Sequence, residues 1–145
     1  MLGELTREEI ETVLLRGTVG RIGCHAEGRT YVVPITYGYG GDCVYGHSGD
    51  GLKVRTLRAN PKACFEVDEV EHLNRWRSVV AWGTYEELGG ADEARAVALL
   101  RSRFASLTPG ETALSHPTRY ATATAPIRAI YYRIRLDEKT GRFER

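Results

Sequence analysis

The sequence predicts a mainly β protein: one small antiparallel barrel of six strands with peripheral helices. Three observations lead there. Runs of alternating or β-branched residues recur at six places, several of them separated by glycine-bearing turns. Helical spacing is confined to the start, a short interior stretch and one longer segment before the last strand. A meander of this kind exposes strand edges unless it closes on itself, and closure into a barrel removes them. A half-open sheet with helices on one face is the alternative.

Taken in order, Thr6-Arg7-Glu8-Glu9 spells a capping box ahead of Ile10, Val13 and Leu14 at helical spacing, with Gly17 as the expected stop. Residues 19–24 read as a strand, 25–29 as a turn, and 30–37, rich in Tyr, Val, Ile and Thr, as the second arm of a hairpin. Pro34 has no N–H to give to a ladder. It places that strand at an edge or a bulge and leaves neighbouring backbone groups available to something other than a strand. Gly38-Tyr39-Gly40-Gly41-Asp42 predicts a second hairpin turn into a short strand, 43–47. Gly49 and Gly51 lead to a short helix carrying Lys53, Arg55 and Arg58, closed by Asn60-Pro61.

Residues 62–68 alternate, with Ala63, Phe65 and Val67 on the core face, and Asp68-Glu69-Val70-Glu71 reads as a solvated loop. In the long strand 76–88, Val79, Ala81, Gly83 and Tyr85 oppose Ser78, Val80, Trp82 and Thr84. Both faces are partly apolar, so both should be covered, one by the core and the other by a helix or a second subunit. Asp92 is placed to cap a helix running to about Phe104, and residues 106–126 read as a long irregular connection. Ile130, Tyr132, Ile134 and Leu136 alternate as a last strand before a polar tail, 137–145.

A chain of 145 residues suits one domain with one core. A formal net charge of +1 gives no bulk attraction to nucleic acid or to an anionic membrane, so any anion must be held locally. No apolar run approaches the roughly 18 residues that span a bilayer, and the start lacks a signal-peptide pattern. The expectation is a cytoplasmic protein. Cys24, Cys43 and Cys64 lack C-x-x-C spacing and read as thiols packed within strands. His25, His72 and His116 fall in predicted turns or loops and share no ligand spacing with His47, which argues against a metal site.

The stretch His47-Ser48-Gly49-Asp50-Gly51-Leu52-Lys53 is the candidate ligand site. A strand passing through two glycines into a helix presents free backbone N–H groups and the positive end of a helix dipole, and Lys53 adds a full charge. This is how an anion is held. It is not a Walker loop, and an ordinary strand-to-helix connection with solvated basic residues is the competing reading.

Gly20-Arg21-Ile22-Gly23, Tyr31-Val32-Val33-Pro34-Ile35-Thr36-Tyr37-Gly38-Tyr39, Val44-Tyr45-Gly46-His47-Ser48 with Gly51-Leu52-Lys53, the run from Leu57 to Asp68, and Trp76-Arg77-Ser78-Val79-Val80 with Gly83 together carry a resemblance. The composite resembles the pyridoxamine 5′-phosphate oxidase-like flavoproteins, most closely the 5-nitroimidazole reductase branch. The resemblance implies a six-stranded Greek-key split β-barrel, a homodimer, and FMN in two clefts at the subunit interface. It sets Val32, Val33, Pro34, Ile35, Thr36 and Tyr37 along the isoalloxazine and ribityl chain, His47 and Ser48 at the next strand's end, Lys53 on the phosphate and Ser78 near the flavin. His47 becomes the candidate catalytic residue. Oxidase members carry an arginine just before the phosphate lysine; here Leu52 stands there, so remaining phosphate contacts fall to Arg55, Arg58 or the other subunit. The Trp and Arg that hold pyridoxal phosphate have no counterpart in residues 131–145, which counts against pyridoxamine phosphate as substrate. The implied activity is FMN-dependent transfer of hydride from NADH or NADPH to a small nitro-type or aromatic acceptor. The alternatives are a non-catalytic dimeric flavin- or haem-binding protein and a deazaflavin-dependent reductase.

Overall fold

The capping box forms as spelled: the Glu9 N–H donates to Thr6 Oγ1 at 3.2 Å, and the Thr6 N–H donates to Glu9 Oε2 at 2.8 Å. The computed structural model describes residues 1–105 and 129–145. Its elements are β1 (Leu2–Glu4), α1 (Arg7–Arg16), β2 (Val19–Ala26), β3 (Arg29–Thr36), β4 (Gly38–Gly40), β5 (Cys43–Ser48), α2 (Leu52–Ala59), β6 (Lys62–His72), β7 (Arg75–Glu87), α3 (Gly90–Ala105) and β8 (Ile130–Glu144). The strands form one antiparallel sheet in the order β3-β2-β6-β7-β8-β5-β4, with β1 added on β8.

The two ends of that sheet, β3 and β4, are consecutive in the chain, with Tyr37 alone between them. The sheet therefore wraps into a barrel that the chain itself joins at one residue. The Tyr37 N–H donates to the Thr18 carbonyl at 3.0 Å, its hydroxyl donates to the Leu14 carbonyl at 2.8 Å, and its buried ring meets Phe65 edge-on at 4.8 Å. Gly17 does end α1, with an ordinary φ of −65° rather than a left-handed one. Space explains it: a Cβ there would lie 2.2 Å from the Tyr37 hydroxyl and 2.7 Å from a Val67 methyl.

Two-residue turns join β2 to β3 and β4 to β5. Glu27 and Gly28 in the first, and Gly41 and Asp42 in the second, all have positive φ, the mirror-image turn that matches strand twist. The Lys139 ammonium donates to Glu11, Tyr39 and Asp42, tying α1 and the β4–β5 turn to β8. Inside, Ile22, Phe65, Val79, Ala81, Tyr132 and Ile134 pack against Val13 and Leu14 of α1 and Leu57 of α2.

The six predicted strands are present, and two three-residue strands, β1 and β4, join them. The hairpin predicted over residues 38–42 lies within β4–β5; β3 does not pair with β5. The acidic run at 68–71 belongs to β6, because Arg21, Arg77 and Arg75 on neighbouring strands accept its charges. The supposed polar tail is the second half of β8, which keeps pairing with β7 and β1 and buries Phe143. His25 and His72 lie in strands, not turns. Helix α3 starts at Gly90, so Asp92 sits inside its first turn, held by Arg95. The connection predicted over 106–126, and His116 within it, lie outside the described residues.

The β7–β8 register slips between Trp82 and Gly83, with Asp137 as the extra residue. At Gly83 a Cβ would lie 2.1 Å from the Arg135 carbonyl oxygen and 3.0 Å from the Leu136 Cα, both backbone. Gly83→Ala should lower the unfolding free energy by about 1–3 kcal/mol in urea titrations, through overpacking that the ladder cannot relieve. Gly89→Ala, where a Cβ meets nothing within 4 Å, should change it by less than about 0.5 kcal/mol.

Candidate functional site

Strand β5 ends with His47 opposite Tyr131 and Ser48 opposite Ile130, and Gly49, Asp50 and Gly51 then turn the chain into α2. Gly46, one step earlier, lies under Tyr132, whose hydroxyl would be 2.5 Å from any Cβ added there. Val54 and Leu57, fully buried, fix the rotation of α2 about its axis. That rotation turns Lys53 inward at the mouth of the barrel, its ammonium 5.6 Å from the centre of the Tyr132 ring.

The first turn of α2 is open to an anion. Its N-cap, Gly51, makes no side-chain cap bond, and no acidic residue occupies the first turn. Ser48 Oγ donates to the Gly49 carbonyl at 2.8 Å. Lys53 is half-buried, and among the described residues no carboxylate pairs with it. Burial pushes its pKa below the ordinary lysine value, with the nearby Cys24 thiol opposing. His47 is half-buried too, its ring 5.7 Å from that of Tyr131. Burial first, and then the Lys53 charge, hold its pKa below the ordinary 6.5.

The two arginines proposed to complete a phosphate site point elsewhere. Arg58 is engaged by Glu87 at 2.5 and 3.2 Å and lies 3.6 Å from Asp50. Arg55 Nε reaches back to the Gly51 carbonyl at 3.4 Å on the outer side of the helix.

The other predicted residues divide between two regions. β3 is an end of the sheet, and its far edge pairs with no strand among the described residues, as Pro34 requires. On it Val32, Pro34 and Thr36 face outward, Val33 is half-buried, and the side chains of Ile35 and of Tyr37, the residue just after the strand, are committed to the core. Ser78 lies on the outer face of β7, level with Asp68 and Arg142. Measured along β7 to Glu87, the partner of Tyr132, it is roughly 30 Å from the His47 end at the usual strand rise. One protomer therefore brings His47, Ser48 and Lys53 together, and not Ser78.

A second feature was visible only in part. The outer faces of β2, β3, β6, β7 and β8 enclose a groove of about 670 Å³, lined by Val32, Cys64, Trp82, Asn60, Lys62 and Glu138 among others. Val32 is 62% exposed and Trp82 39% exposed. The apolar second face of strand 76–88 was the signal for it; the contribution of Glu138 depended on β8 continuing past Leu136.

Because the depressed pKa favours the neutral imidazole in the fold, the stability His47 contributes is intact above 6.5 and is lost as pH falls through its folded value. A histidine C2-proton titration by NMR should give a His47 midpoint below 6.5, and Lys53→Met should raise that midpoint by removing one of its two causes.

Comparison with known proteins bears on the whole chain. Residues 6–143 match the family described as pyridoxamine 5′-phosphate oxidase. An uncharacterised protein of Rhizobium meliloti is 32% identical over 143 residues, which is 95% of this chain and 92% of the relative. Among solved structures, an FAD-binding protein of Mesorhizobium loti superposes with a TM-score of 0.76 at 31% identity, covering 100% of this chain and 99% of its own. A proposed 5-nitroimidazole antibiotic resistance protein of Bacteroides thetaiotaomicron superposes with a TM-score of 0.73 at 22% identity, covering 99% and 87%, a likeness of fold alone. The chain thus belongs to the pyridoxamine 5′-phosphate oxidase family, and its sheet is that family's split β-barrel.

Proposed function

We propose that the protein is a homodimeric flavoprotein oxidoreductase that holds its flavin, FMN or the FMN half of FAD, by the phosphate at Lys53 and the start of α2. One observation carries this reading: the Lys53 ammonium has lost much of its water without gaining a carboxylate among the described residues. A cation in that position is costly unless an anion joins it. The uncapped N–H groups of α2 are the complementary donors for such an anion. The Mesorhizobium loti relative, named as FAD-binding, supports a flavin as the group that brings the phosphate.

The flavin, once bound, supplies the hydride chemistry. The chain's own residues bind and orient it. The free edge of β3 offers backbone donors and acceptors along a flat heterocycle, beside Val32, Val33, Pro34, Ile35, Thr36 and Tyr37. His47, held neutral near pH 7, presents one ring nitrogen as donor and the other as acceptor rather than a second cation beside Lys53. Ser48 closes the strand beside the phosphate. A second copy would cover the apolar outer face around Val32 and Trp82, and would make Ser78 available to a cleft shared between subunits.

The electron donor in this reading is NADH or NADPH and the acceptor a small nitro compound, as the sequence resemblance implies. The setting is the cytoplasm, where reduced nicotinamides are supplied. Among the described residues no helix is long and apolar enough to cross a membrane.

The purified protein should be yellow, with flavin absorption that NADH or NADPH bleaches under anaerobic conditions; a bound flavin that both leave oxidised would favour a non-catalytic carrier. Lys53→Ala should weaken flavin binding by roughly 1.5–3 kcal/mol in fluorescence titrations, the worth of a charge-assisted contact. Trp82→Asp should convert a dimer to a monomer in light scattering and release the flavin with it.

A further inference from the structure

In the stretch that turns β5 into α2, from His47 to Lys53, Asp50 is the one carboxylate, and it stands a single residue before the N-cap Gly51. A fixed negative charge there opposes any anion drawn to the first turn of the helix. The site at Lys53 therefore carries a charge of the wrong sign. Arg58 answers it: its Nη1 lies 3.6 Å from Asp50 Oδ1.

Lys53 comes from the first turn of α2 and Arg58 from the last. At about 100° per residue the two stand roughly 140° apart around the helix, on opposite flanks of the buried stripe made by Val54 and Leu57. From its flank Arg58 reaches Asp50 and Glu87 together. Glu87 is a firm anchor. It is the ladder partner of the buried Tyr132, it accepts from the Tyr85 hydroxyl at 3.1 Å, and it takes the Arg58 guanidinium through two bonds at 2.5 and 3.2 Å. Those Arg58 bonds hold the Glu87 carboxyl below the ordinary carboxylate range, so the pair stays ionised at neutral pH. Two-bonded pairing of this kind is the geometry in which an exposed ion pair keeps its place. The Tyr85 ring in turn stands 5.4 Å from that of Tyr132, which lies beneath Lys53. The cation facing Asp50 and the cation offered to an anion are thus seated on the same two packed rings.

We propose that Arg58 is a positioning residue for the phosphate site: anchored on Glu87, it keeps the Asp50 carboxylate on its own flank of α2 and offsets that charge, without touching the phosphate. This rests on the reading above, in which Lys53 takes the flavin phosphate. It gives a use to an arginine that stands on the opposite flank of the helix from the lysine.

The test is a fluorescence titration of the flavin-free full-length protein with FMN and, separately, with riboflavin, which lacks the phosphate. Arg58→Met should raise the FMN dissociation constant by about fivefold, the scale of one exposed charge left without its partner, and leave that of riboflavin within about twofold. Asp50→Asn should bind FMN at least as tightly as the unaltered chain. Arg58→Met added to Asp50→Asn should change the FMN constant by less than about twofold, because the charge to be offset is gone. Glu87→Gln, which unties the anchor, should weaken FMN as Arg58→Met does, whereas an arginine that bound the phosphate itself would bind it better once released. An equal loss from Arg58→Met in both backgrounds makes Arg58 a direct contact and overturns the inference. So does an FMN affinity that Arg58→Met leaves unchanged, or an equal loss for FMN and riboflavin. In those cases weakening of FMN by Lys53→Ala leaves the flavin reading standing. If neither flavin binds, or Lys53→Ala binds FMN like the unaltered chain, that reading falls and this one with it.

Discussion

The hydrogen bond from the Tyr37 hydroxyl to the Leu14 carbonyl is made where the barrel would otherwise come apart. β3 and β4 are the two ends of the sheet, and no ladder joins them. What replaces a ladder is a single residue between the strands, pinned by its amide to Thr18, by its ring to Phe65 and by its hydroxyl to the carboxyl end of α1. A buried phenol requires such an acceptor, and burial raises its pKa far above the ordinary value, which keeps the proton on the hydroxyl as a donor. Gly17 is small because this ring needs its space.

The same arrangement creates the candidate site. Since the chain leaves β3 at Tyr37 and crosses to β4, the outer edge of β3 acquires no partner strand among the described residues. Pro34 makes that edge a poor template for another chain, which protects it without filling it. The mouth of the barrel lies between β5 and α2, where Gly46 lets Tyr132 lie flat beneath Lys53. Core packing thus fixes the lysine: Val54 and Leu57 cannot be buried without turning Lys53 inward. The charge that invites an anion is placed by apolar contacts on the same two turns of helix.

Much of this was legible in the sequence because the signals were local. The capping box, the first hairpin, the alternation in β6 and β7 and the proline at an edge each depend on a few adjacent residues, and each forms. What failed depended on distant partners. The acidic run at 68–71 looks like a solvated loop until Arg21 of β2 and Arg75 and Arg77 of β7 are placed beside it. Residues 137–144 look like a polar tail until β1 and β7 supply ladders on both sides. The distance between Ser78 and His47 within one protomer is a matter of strand register, which residue type does not encode.

The link between β5 and α2 is three residues, Gly49, Asp50 and Gly51. An α-helix advances about 100° per residue, so inserting or deleting one residue here would turn the whole of α2 by that angle. Val54 and Leu57 would leave the core, and Lys53 would swing out of the barrel mouth. Loop composition can drift at such a place; loop length cannot. Among relatives, the count of residues between the strand-end histidine and the helical lysine should therefore hold constant even where the residues themselves have been exchanged.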